Sequence, residues 1–425
     1  MFRDAEAFAA LRAQLAARGA GPDLDALLER LRALSERRRA AIGESDALKG
    51  ELNARSREVG EKKRRGEDAG ALLATLGDLS ARAEAAAGAA AEADAAFATQ
   101  LAYVPNVPAD DVPPGDATHN AVVRAWGEPL EPQPWHRPHW DIGKDLGLLE
   151  PERGATLAGS GFPVFVGLGA RLERALIGFM LDLHTREHGY TEVAPPFVVN
   201  RDCMTGTGQL PKYEEDMYRT SDDLFLVPTA EVPVTNLHRG EVLRAEDLPK
   251  KYVAYTPCFR REAGAHGADT RGLTRVHQFD KVELVRLERP EASLAAHEEL
   301  TGHAEAVLRR LGLAYRVVRI AAGDMGFANH RQYDLEVWAP GVRKWLEVSS
   351  CSTYRDFQAR RMDTRFRPAR GAKPEFVHTL NGSALALPRT VIALLETGQQ
   401  ADGSVRVPPA LVPALGVERL EARAS

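Results

Sequence analysis

Residues 257–283 read PCFRREAGAHGADTRGLTRVHQFDKVE. An apolar edge at Cys258 and Phe259, a Gly-rich charged loop and a second apolar edge from Val276 to Leu284 predict two strands joined as a hairpin. The connection exceeds the usual two to five residues, and such loops are commonly functional. It carries Gly264, Gly267 and Gly272 together with Arg260, Arg261, Arg271 and Arg275. Several arginines beside carboxylates suit a phosphate-bearing ligand whose other end is read by hydrogen-bond acceptors. A solvated basic loop is the plainer reading of this composition.

Outside this stretch, a chain of 425 residues exceeds what one core usually supports, so two or three domains are expected. A net charge of -5 argues against a broad nucleic-acid-coating surface and leaves room for local basic patches. Cys203, Cys258 and Cys351 lie far apart with no CxxC pair. That spacing offers neither a disulfide framework nor a zinc motif, and it suits a reducing cytosol. The first residues lack an apolar signal core, and no run approaches the ~18 apolar residues of a membrane span. The expectation is a cytoplasmic protein with no membrane partner.

The N-terminal third differs in composition from the rest. Between Asp23 and Gln100 there is no proline, and Ala, Leu, Glu and Arg dominate. Leu24, Leu27, Leu31, Leu34, Arg38, Ala41, Ser45, Leu48, Leu52, Arg55 and Val59 follow a 4-3 spacing, and Leu72, Leu76, Leu79, four alanines and Phe97 repeat it. Sustained heptads predict a coiled coil over 24–100. Gly60, Gly66 and Gly70 break the pattern, so the chain should fold back as an antiparallel hairpin, each arm on the order of 50 Å at 1.5 Å per residue. The Ala-rich second seam buries little area, and polar Arg38, Ser45 and Arg55 weaken the first. Lys62, Lys63, Arg64 and Arg65 fall at the tip, where they suit a nucleic-acid backbone, although a solvated turn accounts for them as well. From Tyr103 to Pro138 the chain turns rich in Pro and Asp, an extended connector that puts the domain boundary near residue 105.

Beyond it, apolar residues at helical spacing (Leu172, Leu176, Phe179, Met180, Leu183) predict a helix stopped by Gly189. A helix over 291–312 follows the opening hairpin, then strands at YRVVRI, YDLEVWAP and KWLEVSSCST. FVHTLNGSALALPRTVIALLE closes with a strand, a small-residue turn and a helix. Strands grouped by hairpins without regular β-α alternation predict an α+β domain on an antiparallel sheet. Neither GxxxxGK[ST] nor GxGxxG after a strand occurs, so a nucleotide would be held by side chains on the sheet.

In this arrangement the sequence resembles the bacterial-type seryl-tRNA synthetases, which are class II aminoacyl-tRNA synthetases, over essentially its whole length. GYTEVAPPF matches the class's first motif, with Pro196 in place. Arg260-Arg261-Glu262 through Arg275 and Phe279 match the second. Gly382, Ala384, Ala386 and Arg389 match the third, with alanines where glycines are usual. TAE at 229–231, VHQFDKVE, EVSSCS, FQARR and NGS add specificity, and the two-helix arm resembles that family's own appendage. The resemblance implies a helical tRNA-binding arm over 1–105 and, over 106–425, a class II catalytic domain on an antiparallel sheet flanked by helices.

The implied activity is activation of L-serine with ATP to seryl-adenylate and pyrophosphate, then transfer to the 3′ end of tRNA(Ser) and, where present, tRNA(Sec). Negative charge builds on phosphate during the first step, so cations are needed and little covalent work falls to the protein. By resemblance, Arg260 holds the α-phosphate and carboxylate, Arg275 reaches the terminal phosphates, and Glu262 accepts from the adenine amino group. Phe279 and Arg389 sandwich the adenine, an arrangement that stacking and cation–π attraction favour. Arg261, Val276, Val348 and Ser349 belong to the same ATP site, with no specific role for Arg261. Glu347 and Ser350 are the implied Mg2+ ligands, as hard oxygen donors beside phosphates should be. Thr229, Glu231, Glu283 and Ser383 match the serine-contacting positions, and a site built on hydrogen bonds to a hydroxyl rejects analogues lacking it. TAE belongs to the metal-free pocket, so no zinc is expected and Cys258 and Cys351 are structural. The family also implies a homodimer whose arm reads the tRNA by shape and backbone. The loop AGAHGADTRGLT, without a fixed role toward small substrates, is expected to reorder when the tRNA end arrives. Two other readings stand beside this one: a ligase that loads an amino acid onto a carrier protein, and a non-charging paralogue that kept only the fold.

Overall fold

The computed structural model describes residues 2, 4–19, 22–262 and 271–422. The expected reordering of the hairpin loop falls, for residues 263–270, outside the described residues. The chain divides into two compact units, 1–107 and 108–425.

The first unit holds α1 (Ala5–Ala16), α2 (Pro22–Arg64) and α3 (Gly70–Leu101). Heptad reading captured α2 and α3, which at 1.5 Å per residue run ~65 Å and ~48 Å. It passed over α1. Asp4 caps that helix by accepting from the N–H groups of Glu6 and Ala7, each at 2.9 Å. Phe8, Leu11 and Leu15 line its inner face and pack with Leu28, Leu31 and Val104. Farther along, Leu48 meets Leu79, Ala83 and Ala86. The alanines let the two helices approach closely at the cost of buried area. Polar residues on the seam are handled differently by size. Ser45 is buried. Arg38 stays half-buried, pairs with Asp94 and lies 5.5 Å over the Phe97 ring, whereas Arg55 turns out to solvent. Gly60 stays inside α2, because one helical glycine costs only about 1 kcal/mol. The reversal is made at Gly66 (φ 73°), a left-handed position that glycine takes without steric cost. Lys63, Arg64 and Arg65 are exposed beside this turn.

In the second unit, eight strands among the described residues form one sheet: β1 (Ala121–Trp126), β2 (Thr191–Glu192), β3 (Lys250–Phe259), β4 (Gln278–Glu288), β5 (Tyr315–Arg319), β6 (Arg331–Ala339), β7 (Lys344–Arg355) and β8 (His378–Ala386). Their spatial order is β1-β5-β6-β7-β8-β4-β3-β2, antiparallel throughout except for β2 against β3. The hairpin expected around residues 257–283 is β3–β4, with Pro257 opposite Asp280 and Cys258 opposite Phe279. One face of the sheet packs on α5 (Leu168–Arg186), α6 (Ser293–Leu311) and α7 (Leu387–Gly398) through Leu176, Met180, Leu300, Leu308, Ile392 and Leu395. Ala254, Val285 and Leu287 join a second apolar cluster with Ala359, Phe366 and Val377. The centre of the sheet is thus covered on both faces, so β4 is buried without a break from Lys281 to Glu288, and its charged residues there are paired, Lys281 with Glu283 and Arg286 with Glu288. A short helix preceding α5, α4 (His139–Asp145), belongs to the same unit. Gly382 on β8 is sterically required. A Cβ there would stand 2.4 Å from Leu300 Cδ2 and 2.8 Å from Cys351 Sγ.

Candidate active site

The hairpin β3–β4, the middle of β7, the end of β8 and the start of α7 surround a cavity of about 410 Å³. Arg260, Glu262, Arg275, Val276 and Phe279 reach it from the hairpin; Glu347, Val348, Ser349 and Ser350 from β7; Ser383 and Arg389 from β8 and α7. Thr229, Glu231 and Glu283 close its inner end. Arg261 is the one expected residue that does not line it: its side chain is exposed, and its N–H donates to Asp216 O at 2.9 Å. Arg260 and Glu262 thus face the cavity while Arg261 between them faces out.

The outer part of the cavity is cationic. Arg260's guanidinium lies 5.2 Å above the Phe279 ring, and its Nε donates to Pro228 O at 3.4 Å. Arg275 pairs with Glu262 at 2.6 Å. Arg389 donates through Nη1 to Glu347 O at 2.9 Å and to Glu347 Oε2 at 3.3 Å. Glu262 carries φ 50°, the left-handed region that a side chain of this kind enters at a cost of roughly 1–2 kcal/mol. Asp334 lies buried on β6, opposite Ser350 of β7, and its carboxyl is held well above the usual range by burial and by the charge of Glu347.

The inner part is a buried polar chamber. Lys281 pairs with Glu283 at 2.5 Å and donates to Thr229 Oγ1 at 2.9 Å. Asn381 donates to both carboxyls, Glu283 Oε1 at 2.8 Å and Glu231 Oε2 at 3.0 Å. Gln358 donates to Glu231 Oε1 at 2.6 Å, and its own oxygen accepts from Thr379 at 2.6 Å. Tyr354 donates to Asn381 Oδ1 at 2.6 Å, and Ser383 Oγ donates to Glu283 Oε2 at 3.3 Å. The two carboxyls are therefore unlike. Glu283 has a cation against it. Glu231 is held by amides, and burial followed by the charge of Glu283 pushes it up to about 7. Ser349 donates to the Ser383 carbonyl at 2.6 Å, locking β7 to β8 where the chamber begins.

Lys281, Asn381, Gln358 and Tyr354 were not anticipated. For two of them a signal existed: Lys281 precedes Glu283 by two residues on β4, and Asn381 precedes Ser383 by two on β8, so each pair shares a face. Gln358 lies within FQARR, on a short helix, Phe357–Met362, whose spacing alone does not single it out. Cys258 and Cys351 are fully buried. Burial raises both thiols, Cys351 to about 12, so they pack as neutral groups. A second chamber of about 500 Å³ shares Glu231, Arg260, Glu262 and Arg275 and continues past Gly208, Tyr213 and Phe327.

Comparison with known proteins matches both units. The model described as seryl-tRNA synthetase N-terminal domain matches residues 1–108, and that described as tRNA synthetase class II core domain (G, H, P, S and T) matches residues 213–398. A serine–tRNA ligase of Gemmatimonas aurantiaca is 56% identical over 407 residues, covering 96% of each chain. One from Nitratidesulfovibrio vulgaris is 54% identical over 395 residues and covers 92% of each. The crystal structure of seryl-tRNA synthetase from Pyrococcus horikoshii complexed with ATP superimposes with a TM-score of 0.88 at 34% identity, over 97% of both chains. With this identity running through the arm and the catalytic unit alike, the chain belongs to the serine–tRNA ligase family of class II aminoacyl-tRNA synthetases.

Proposed function

We propose that this chain activates L-serine with ATP and transfers it to the 3′-terminal ribose of tRNA(Ser), and of tRNA(Sec) where that is present. The observation that carries the reading is that three arginines and a buried two-carboxyl chamber open into one cavity. That is the chemistry needed to hold a triphosphate at one end and a small zwitterion with a hydroxyl at the other. Serine's carboxylate attacks the α-phosphorus, and the bond to pyrophosphate breaks. Arg260 lies between the two chambers, suited to the α-phosphate and the attacking carboxylate. Arg275 and Arg389 take the remaining phosphate charge and the adenine face. Both are engaged with carboxylates, Glu262 and Glu347, which ATP would have to displace.

Within the inner chamber, Glu231 takes the serine ammonium, because Lys281 pairs with Glu283 instead and amides hold Glu231. Glu283, already neutralised by Lys281, accepts the hydroxyl together with Ser383. In the second step the ribose hydroxyl attacks the acyl carbon and AMP leaves; the chamber past Tyr213 and Phe327 gives that ribose a route.

Mg2+ belongs to the same reading. Glu347 and Ser350 would supply hard oxygen donors beside the phosphate end of the cavity. When bound there, the ion would neutralise phosphate charge. A cytoplasmic homodimer is also part of the proposal. No described helix is long and apolar enough to cross a membrane. The carrier-protein and non-charging readings gain no support, since relatives matching nearly the whole chain are serine–tRNA ligases. Charging of total tRNA with labelled serine tests the proposal: ATP-dependent, RNA-bound label is expected, and its absence with active control tRNA contradicts it.

A further inference from the structure

His139 lies outside the cavity, on α4, and is fully buried. The N–H of Leu273 donates to its Nε2 at 3.0 Å. Nε2 must then be the bare nitrogen, so Nδ1 carries the proton and donates to Glu396 Oε1 at 3.1 Å. The same oxygen accepts from the His139 N–H at 2.9 Å. Glu396 Oε2 accepts from the N–H groups of Gly341 and Val342, at 2.9 and 3.0 Å. With four N–H donors on one buried carboxyl, neither the ring's tautomer nor its position is free to vary.

The neighbouring chain is shaped around this ring. Gly272 has φ 69°, and a Cβ there would stand 2.3 Å from His139 Nε2. Arg271 lies 4.5 Å over the ring of Trp140, the residue after His139. Arg389 Nε donates to Thr274 O at 3.2 Å, and the His277 N–H donates to Gly161 O at 2.8 Å. Arg275 is therefore presented by a stretch fastened on both sides, and His139 supplies its only contact to a backbone N–H between 271 and 274 among the described residues.

We infer that His139, oriented by Glu396, is a positioning residue for Arg275: it fixes the Leu273 amide and thereby aims the guanidinium into the phosphate end of the cavity. The inference rests on the ATP reading of that cavity for its kinetic consequence, and on geometry alone for the anchoring. A hydrogen bond to a rigid acceptor is a cheap way to hold a catalytic arginine, because a displacement of about 1 Å can cost up to about a hundredfold in rate.

Two substitutions separate the acceptor from mere bulk. His139→Leu fills the space without an acceptor, and His139→Gln places an oxygen near the Nε2 position. Serine-dependent pyrophosphate exchange is measured with each, together with amide exchange of the peptide containing Leu273. The leucine variant is expected to lose about tenfold in kcat/KM for ATP, with KM for serine within about twofold, and to exchange the Leu273 amide about tenfold faster. The glutamine variant should recover both to within about threefold. Unchanged ATP kinetics in the leucine variant, or equal damage in both variants, overturns the inference. Should the leucine variant not fold, the unaltered chain decides: Leu273 protection like that of β4 supports the anchor, and open-chain exchange refutes it. If the unaltered chain shows no serine-dependent exchange, the functional reading fails, while the amide measurements still judge the anchor.

Discussion

Lys281 Nζ stands 2.5 Å from Glu283 Oε2, with both side chains almost fully buried at the end of the substrate cavity. Breaking such a pair from one side leaves a bare buried charge, a cost of about 3–5 kcal/mol. Lys281→Met should lower the denaturation midpoint and raise KM for serine, because Glu283 then competes with Glu231 for the substrate's ammonium. Adding Glu283→Gln should recover most of the stability without recovering serine use. A double-mutant cycle by chemical denaturation reads the coupling, and additive effects would show that the pair is energetically idle.

Glu231 gives the pocket a pH dependence of known sign. Burial and Glu283 hold its carboxyl at about 7 in the ligand-free chamber, above its ordinary 4.5. The serine ammonium needs the carboxylate, so KM for serine should rise as pH falls below about 7, approaching tenfold per unit. Serine binding should release a proton near and below that pH, measurable by calorimetry in buffers of different ionisation enthalpy. Glu231→Gln should abolish the release. For stability the sign is opposite to that of a salt-bridged acid: the contribution is full below about 4.5 and is lost as pH rises through about 7, which leaves the free chamber weaker in base.

Glu262 is held in a strained backbone conformation and tied to Arg275 at 2.6 Å. If it accepts from the adenine amino group, a purine with a carbonyl there presents an acceptor to an acceptor. Glu262→Gln, which can donate as well as accept, should cut the preference for ATP over GTP by about tenfold or more. Exchange assays with each nucleotide read this directly, and an unchanged ratio would remove Glu262 from base recognition.

Lys63, Arg64 and Arg65 are exposed beside the Gly66 turn. Changing Lys62, Lys63, Arg64 and Arg65 together to alanine should leave serine-dependent pyrophosphate exchange intact and raise KM for tRNA. The salt dependence of tRNA binding should flatten in proportion to the number of RNA phosphates that these side chains neutralise. Charging at full efficiency over a range of salt would assign the tip to solvent.

What the sequence made legible is what local spacing encodes. Arg260, Glu262, Arg275, Phe279 and Glu283 lie on one hairpin, where a two-residue period and a Gly-rich interruption suffice to put them together. Leu31, Leu48, Leu79 and the alanines of α3 follow a heptad that needs no tertiary information. Phe8, Leu11 and Leu15 carry the helical spacing of α1 in the same local way. His139 and Glu396 are another matter, 257 residues apart in sequence and joined only because α4 packs on α7. The Glu231 network draws on β8 and two short helices that no sequence period links. Arg261 shows the converse limit: membership of a motif did not tell which side of the backbone it would face.

The central claim is that the arginine end and the carboxyl end of this cavity act on ATP and serine together. Amino-acid-dependent exchange of labelled pyrophosphate into ATP, without tRNA and with each amino acid supplied separately, tests it most directly. Exchange with serine, strongly reduced with threonine and with alanine, is the predicted result. Absence of serine-dependent exchange in correctly folded protein, or equal exchange with alanine, would contradict it.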